Sequence, residues 1–126
     1  MKKLFFLLLI GLVSCSPKIK SNFTNTQPKL SIDQEVALLD IDHHLPENIL
    51  KIGNLKFQDS GFSTDCSFNS IMNQARKTAR ENGANIVKVV GKKKPDIWSS
   101  CYRLDIELYK FEGDVSSLPQ YELTLD

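Results

Sequence analysis

Asp65–Asn85, DCSFNSIMNQARKTARENGAN, is the stretch whose reading decides the fold. Phe68, Ile71, Met72, Ala75 and Ala79 recur at spacings of three and four, so they share one face of a helix. Asn69, Asn73, Lys77 and Arg80 fall largely on the other side. The spacing predicts an amphipathic helix over Ser67–Asn82. Ser67 and Asp65 are both able to cap its start, and Gly83 supplies a left-handed stop. The middle of the apolar face is small, Ala75 and Ala79, which lets the helix axis come close to whatever it covers.

Strand patterns flank the helix. Upstream, Glu35–Asp42 sets Ala37, Leu39 and Ile41 against Val36 and Leu38, a first strand. His43–Asn48 interrupts it, with Pro46 refusing continuation. Ile49–Asp59 alternates Leu55 and Phe57 with Lys56 and Gln58, a second strand, in which Gly53 marks a bulge or a close backbone approach. Downstream come Ile86–Val90, a connection over Gly91–Ser99, and Cys101–Phe111. In the last of these, Tyr102, Leu104, Ile106 and Leu108 alternate with Arg103, Asp105, Glu107 and Tyr109. The order β-β-α-β-β predicts an α+β domain over residues 34–112, a small mainly antiparallel sheet with one covering helix. The tail, residues 113–126, alternates Tyr121, Leu123 and Leu125 with Glu122 and Thr124, which predicts either a short edge strand or a loose end.

With 126 residues the chain has room for one domain. Its first fourteen residues read as an exported leader: Lys2 and Lys3, then the apolar run Leu4–Ile10, too short to span a bilayer. Leu12-Val13-Ser14-Cys15 is similar to the lipobox of bacterial lipoproteins, which implies cleavage before Cys15 and lipidation of its sulfur. Cleavage there would remove Lys2 and Lys3, taking the formal net charge from +1 to −1. A nearly neutral exported chain has no electrostatic footprint for nucleic acid. Two or three acyl chains make a stable membrane anchor. Ser16, where an aspartate would resemble an inner-membrane retention signal, points by the same resemblance to the outer membrane, with the domain facing the periplasm. Residues 15–33, rich in Ser, Thr, Asn, Lys and Pro, are expected to be a flexible tether, because few apolar side chains offset the entropy of ordering them.

Apart from Cys15, the chain has Cys66 and Cys101. In an oxidising compartment they are expected to pair as a disulfide. The alternative is a reactive thiol at a helix start, as in a thiol-redox protein, although no C-x-x-C and no partner base stand beside it. Strict alternation puts Cys101 on the face opposite Leu104 and Ile106, so a bridge needs a bend at that strand's entrance. Asp40, Asp42, His43 and His44 form the one cluster with metal-ligand chemistry. Adjacent histidines point apart on an extended chain. The expectation is therefore a polar loop with no cofactor, and metal or small-ligand binding through His43 and His44 is the alternative. No nucleophile stands near these histidines in sequence, so no catalytic residue and no enzymatic activity are expected. Lys92, Lys93, Lys94 and Trp98 make a basic hairpin tip beside an aromatic. It would suit lipid phosphates or an acidic partner, or else form a solvated turn protecting a sheet edge.

Ile52-Gly53, Gly61 to Cys66, Ala75-Arg76 with Ala79-Arg80, Gly83-Ala84-Asn85-Ile86-Val87 and Ser100-Cys101-Tyr102-Arg103 together resemble the RcsF-like envelope lipoproteins and, more distantly, YbjQ-like domains. The resemblance covers about Ile49–Tyr109. It implies an outer-membrane lipoprotein that senses envelope stress through protein partners, without catalysis. The family carries four domain cysteines in two disulfides; with Cys66 and Cys101 alone, one staple carries over.

Overall fold

A computed structural model describes residues 18–58 and 66–124. The leader, Cys15, the loop containing Gly61 and Leu125 lie outside the described residues. The elements are β1 (Lys18–Phe23), β2 (Ala37–Leu39), β3 (Ile49–Gln58), α1 (Phe68–Glu81), β4 (Ile86–Lys93), β5 (Arg103–Phe111) and a 3₁₀ turn at Val115–Ser117. The strands form one sheet in the order β1-β3-β5-β4-β2. Every pairing is antiparallel except β2 with β4, which is parallel. The α+β class and the one α-helix among the described residues agree with the sequence pattern. The element order does not: β1 precedes the expected first strand, giving β-β-β-α-β-β.

β5 lies at the centre, paired with β3 on one side and β4 on the other. Leu104, Ile106 and Leu108 are buried toward the helix, opposite Phe57, Leu55 and Gly53 of β3 and Lys92, Val89 and Val87 of β4. Ile71, Met72, Ala75 and Ala79 of α1 close that layer and are fully buried. Ser67 caps the helix, its hydroxyl accepting from the Ser70 N–H at 3.1 Å. At the far end Gly83 takes φ +78°, Gly83 N–H donates to Arg80 and Ala84 N–H to Ala79, the bonding pattern of a Schellman stop. A smaller apolar cluster, Ala37, Leu39, Ile86 and Val115, fills one end of the opposite face.

Two bulges set the register. The first lies between Lys51 and Gly53, and a Cβ on Gly53 would sit 2.5 Å from the Asn22 carbonyl oxygen and 2.7 Å from the Phe23 ring. Gly53 thus serves both as bulge and as close approach. The second lies between Val89 and Gly91. It inserts Val90 as an extra residue and moves Lys92 onto the helix side of the sheet, opposite Leu104.

The expected tether of residues 15–33 needs correction from Lys18 onward. β1 runs along β3 from Lys18↔Gln58 to Phe23↔Gly53. The chain then crosses the C-terminal end of α1, where Gln27 N–H donates to Asn82 and Leu30 N–H to Arg80, each at 3.0 Å. Arg80 Nη1 donates back to the carbonyls of Ser31 at 2.9 Å and Gln34 at 2.5 Å. Composition is a poor guide here because the segment needs no core of its own. The edge of β3 and the orphan carbonyls of the helix end supply its backbone partners, while Phe23 packs on the core and Leu30 is buried in it.

The tail adds no strand among the described residues. Tyr121 N–H donates to the Leu38 carbonyl at 2.7 Å. Asn69 of α1 holds the rest: its Oδ1 accepts from the Tyr121 hydroxyl at 3.0 Å and the Thr124 N–H at 2.9 Å, and its Nδ2 donates to the Thr124 carbonyl.

Candidate interaction surface

The connection between β4 and β5 is built on a covalent base. Cys66 and Cys101 form a disulfide with their Cα atoms 5.0 Å apart. β5 begins only at Arg103, so Cys101 sits in the bend before the strand, outside its alternation, and meets Cys66 at the start of α1. Tyr102 N–H donates to the Cys66 carbonyl at 3.2 Å, tying the same two segments again. In this state neither cysteine offers a free thiol for redox chemistry.

Above the disulfide, Asp96 fixes the turn. Its Oδ1 accepts from the N–H groups of Trp98 at 2.9 Å and Ser99 at 3.0 Å, and its own N–H donates to the Ser99 carbonyl at 2.8 Å. Arg103 Nη2 reaches Asp96 Oδ2 at 3.1 Å and the Lys94 carbonyl at 3.0 Å. The hydrogen bond from Arg103, with those from the two N–H groups, holds the Asp96 carboxyl below its ordinary value. With the backbone so tied, Ile97 remains 90% exposed and Trp98 85% exposed. Lys93 and Lys94 flank them in solvent.

Lys92 does not belong to this surface, contrary to the expectation for Lys92–Lys94. The bulge at Val90 turns it to the helix side, where its ammonium pairs with Asp40 at 2.9 Å and lies 4.4 Å above the Phe68 ring. Burial pushes the Asp40 carboxyl up, but Lys92 and the Ile41 N–H together outweigh it and hold the group below its ordinary value. Lys92 is therefore a packed structural lysine.

The Asp40–His44 loop is occupied by its own chain. Lys88 Nζ donates to the carbonyls of Asp40 at 2.7 Å, Ile41 at 3.0 Å and His43. Burial pulls the Lys88 ammonium below the usual lysine value, against the charges of Asp40 and Asp42. His43 Nδ1 accepts from the Asp40 N–H at 2.9 Å, which commits that nitrogen, while His44 is exposed. No group of three His, Cys, Asp or Glu among the described residues stands ready to hold a metal ion.

No family model, curated protein or solved structure matches the chain. The site rests on its own geometry.

Sequence reading missed Ile97, Asp96 and Arg103. Two large apolar residues inside a polar connection, with Asp two residues before Trp98, are the signal that would have found them, because an aspartate there bonds its own backbone two residues on. The Lys92–Asp40 pair had no sequence signal, since it depends on a bulge that shifts register by one.

Proposed function

We propose that this chain is a non-enzymatic, lipid-anchored protein of the bacterial outer membrane, facing the periplasm, whose 93–98 turn docks a component of the cell envelope. The observation that carries it is the exposure of Ile97 and Trp98 on a turn whose backbone is already fixed by Asp96, Arg103 and the disulfide. Such a surface gives up little conformational freedom on binding and gains the burial of two large apolar side chains. The lipobox-like Leu12-Val13-Ser14-Cys15 supports the anchor. The resemblance to RcsF-like lipoproteins supports a sensing role through such contacts.

Crosslinking in intact bacterial envelopes tests this reading. A photoreactive residue at position 98 is expected to label an envelope component, and the combined variant Ile97→Ser, Lys93→Gln and Lys94→Gln to lose that label while melting at the same temperature. Labelling that survives the triple variant would remove the turn from the reading.

A further inference from the structure

The sheet register places the start of β1 beside the 94–100 turn. Lys18 pairs with Gln58, Phe57 with Leu104, and Arg103 with Lys93. The backbones of β1, β3, β5 and β4 at Lys18, Gln58, Arg103 and Lys93 therefore lie within about one residue of the same level at one end of the sheet. Three interstrand steps separate Lys18 from Lys93, about 14 Å. The turn that carries Ile97 and Trp98 extends beyond this end, since β4 stops at Lys93 and β5 starts at Arg103. From Lys18 back to Cys15 is three residues, a reach of at most about 11 Å. An acyl group on Cys15 would therefore enter the bilayer close to this end of the sheet.

Among the described residues, the cations Lys20, Lys56, Lys93, Lys94 and Arg103 at this end outnumber the anions Asp96 and Asp105. Lys20 stands directly opposite Lys56, and Lys93 directly opposite Arg103, arrangements that are destabilising unless an anion lies between or above them. Asp96 answers Arg103, and Asp105 approaches Lys56 at 3.8 Å. Among the described residues Lys20, Lys93 and Lys94 have no ion-pair partner. A tryptophan beside an aliphatic tip, rimmed by lysines, is the combination that settles at a bilayer interface, the indole at headgroup level and the ammoniums on phosphates.

We infer that the docking component is the membrane surface itself: Ile97 and Trp98 insert at the interface while Lys93, Lys94 and Lys20 lie on anionic headgroups. This rests on the proposed anchoring at Cys15 and on the turn as the docking surface. It orients the domain with the 94–100 turn toward the bilayer and the C-terminal end of α1 away from it, leaving the groove between Arg76, Gln34 and Gln120 facing solvent.

Trp98 is the chain's single tryptophan, so its fluorescence reports the tip without a label. Full-length protein, processed and purified from bacterial membranes, is reconstituted into vesicles of phosphatidylethanolamine and phosphatidylglycerol. Intact mass of the same sample reads the acylation of Cys15. With brominated acyl chains in the vesicles, Trp98 emission is expected to fall at least about twofold, and acrylamide quenching to drop about threefold relative to protein in detergent-free buffer. Lys93→Gln with Lys94→Gln, or Ile97→Asp alone, should reverse most of both changes. An acylated protein whose Trp98 is untouched by brominated lipid and open to acrylamide overturns the inference and leaves the turn to a protein partner. A mass without acyl groups overturns the anchor instead, and the tip is then judged by flotation with the same vesicles: co-flotation that the lysine variants abolish supports it, and no flotation overturns it.

Discussion

The 94–100 turn and the 113–124 tail start from the same device and end in opposite places. In each, an aspartate side chain accepts from the N–H two residues on: Asp96 from Trp98 at 2.9 Å and Asp114 from Ser116 at 3.0 Å. In the tail the next residue, Val115, is buried in the smaller cluster with Ala37, Leu39 and Ile86, and Tyr121 and Leu123 pack on the helix-side core, Tyr121 edge-on to Phe68 at 5.0 Å. In the turn the next two residues, Ile97 and Trp98, stand in solvent. The tail shows that irregular segments of this chain bury large apolar residues where the backbone leads them inward. The turn's backbone is tied by hydrogen bonds of its own, yet leads outward. Exposure there follows from fixed backbone geometry and not from a lack of order.

The largest expected effect separates the two regions by their covalent support. Converting Cys66 and Cys101 together to serine should cost about 3.5–4 kcal/mol in denaturant unfolding, the loop-entropy value for a separation near 35 residues. Near the midpoint, amides of 94–101 should exchange before those of 113–121. Equal loosening of both would mean that the disulfide supports the whole domain and not the turn in particular. Next, Ala79→Leu should cost about 1–3 kcal/mol by overpacking a fully buried contact between helix and sheet, while leaving Trp98 emission unchanged. A shifted emission maximum would couple the tip to the core.

Asp40→Asn weakens the bridge between the loop after β2 and Lys92 of β4, at about 1–2 kcal/mol near neutral pH. The sign follows from the lowered carboxyl value of Asp40: the contribution is full above the unfolded value, about 4, and is lost as pH falls through the folded value. The stability gap between wild type and variant should therefore close on acidification below about pH 4. A gap that stays constant with pH would show that charge is not its origin. The smallest effect falls on the tip. Trp98→Ala should change stability by less than about 0.5 kcal/mol, because an 85% exposed side chain supports nothing within the domain.

Periodicity carried the helix and the central strands. Phe68 to Ala79 repeats at helical spacing, and the alternation through Leu104, Ile106 and Leu108 survives intact in β5. β1 escaped because an edge strand draws its bonds from a neighbour; Lys18–Phe23 has almost no apolar pattern, and one of its side faces is open to water. The surface was half legible. Lys93, Lys94 and Trp98 stand where the basic tip was expected, but one inserted residue at Val90 sent Lys92 inward to Asp40 and Phe68. A bulge of this kind leaves no trace in composition, since Val90 continues the apolar run of β4.

The 94–100 turn is rigid in its backbone and open in its side chains. Amide hydrogen exchange at Trp98 and Ser99, read alongside acrylamide quenching of the Trp98 indole on the same protein before any vesicle is added, tests it most directly. Both amides are expected to be protected at least about tenfold, Asp96→Ala to abolish the protection, and the indole to be quenched almost as fully as free tryptophan. Unprotected amides, or an indole shielded from acrylamide, would contradict it.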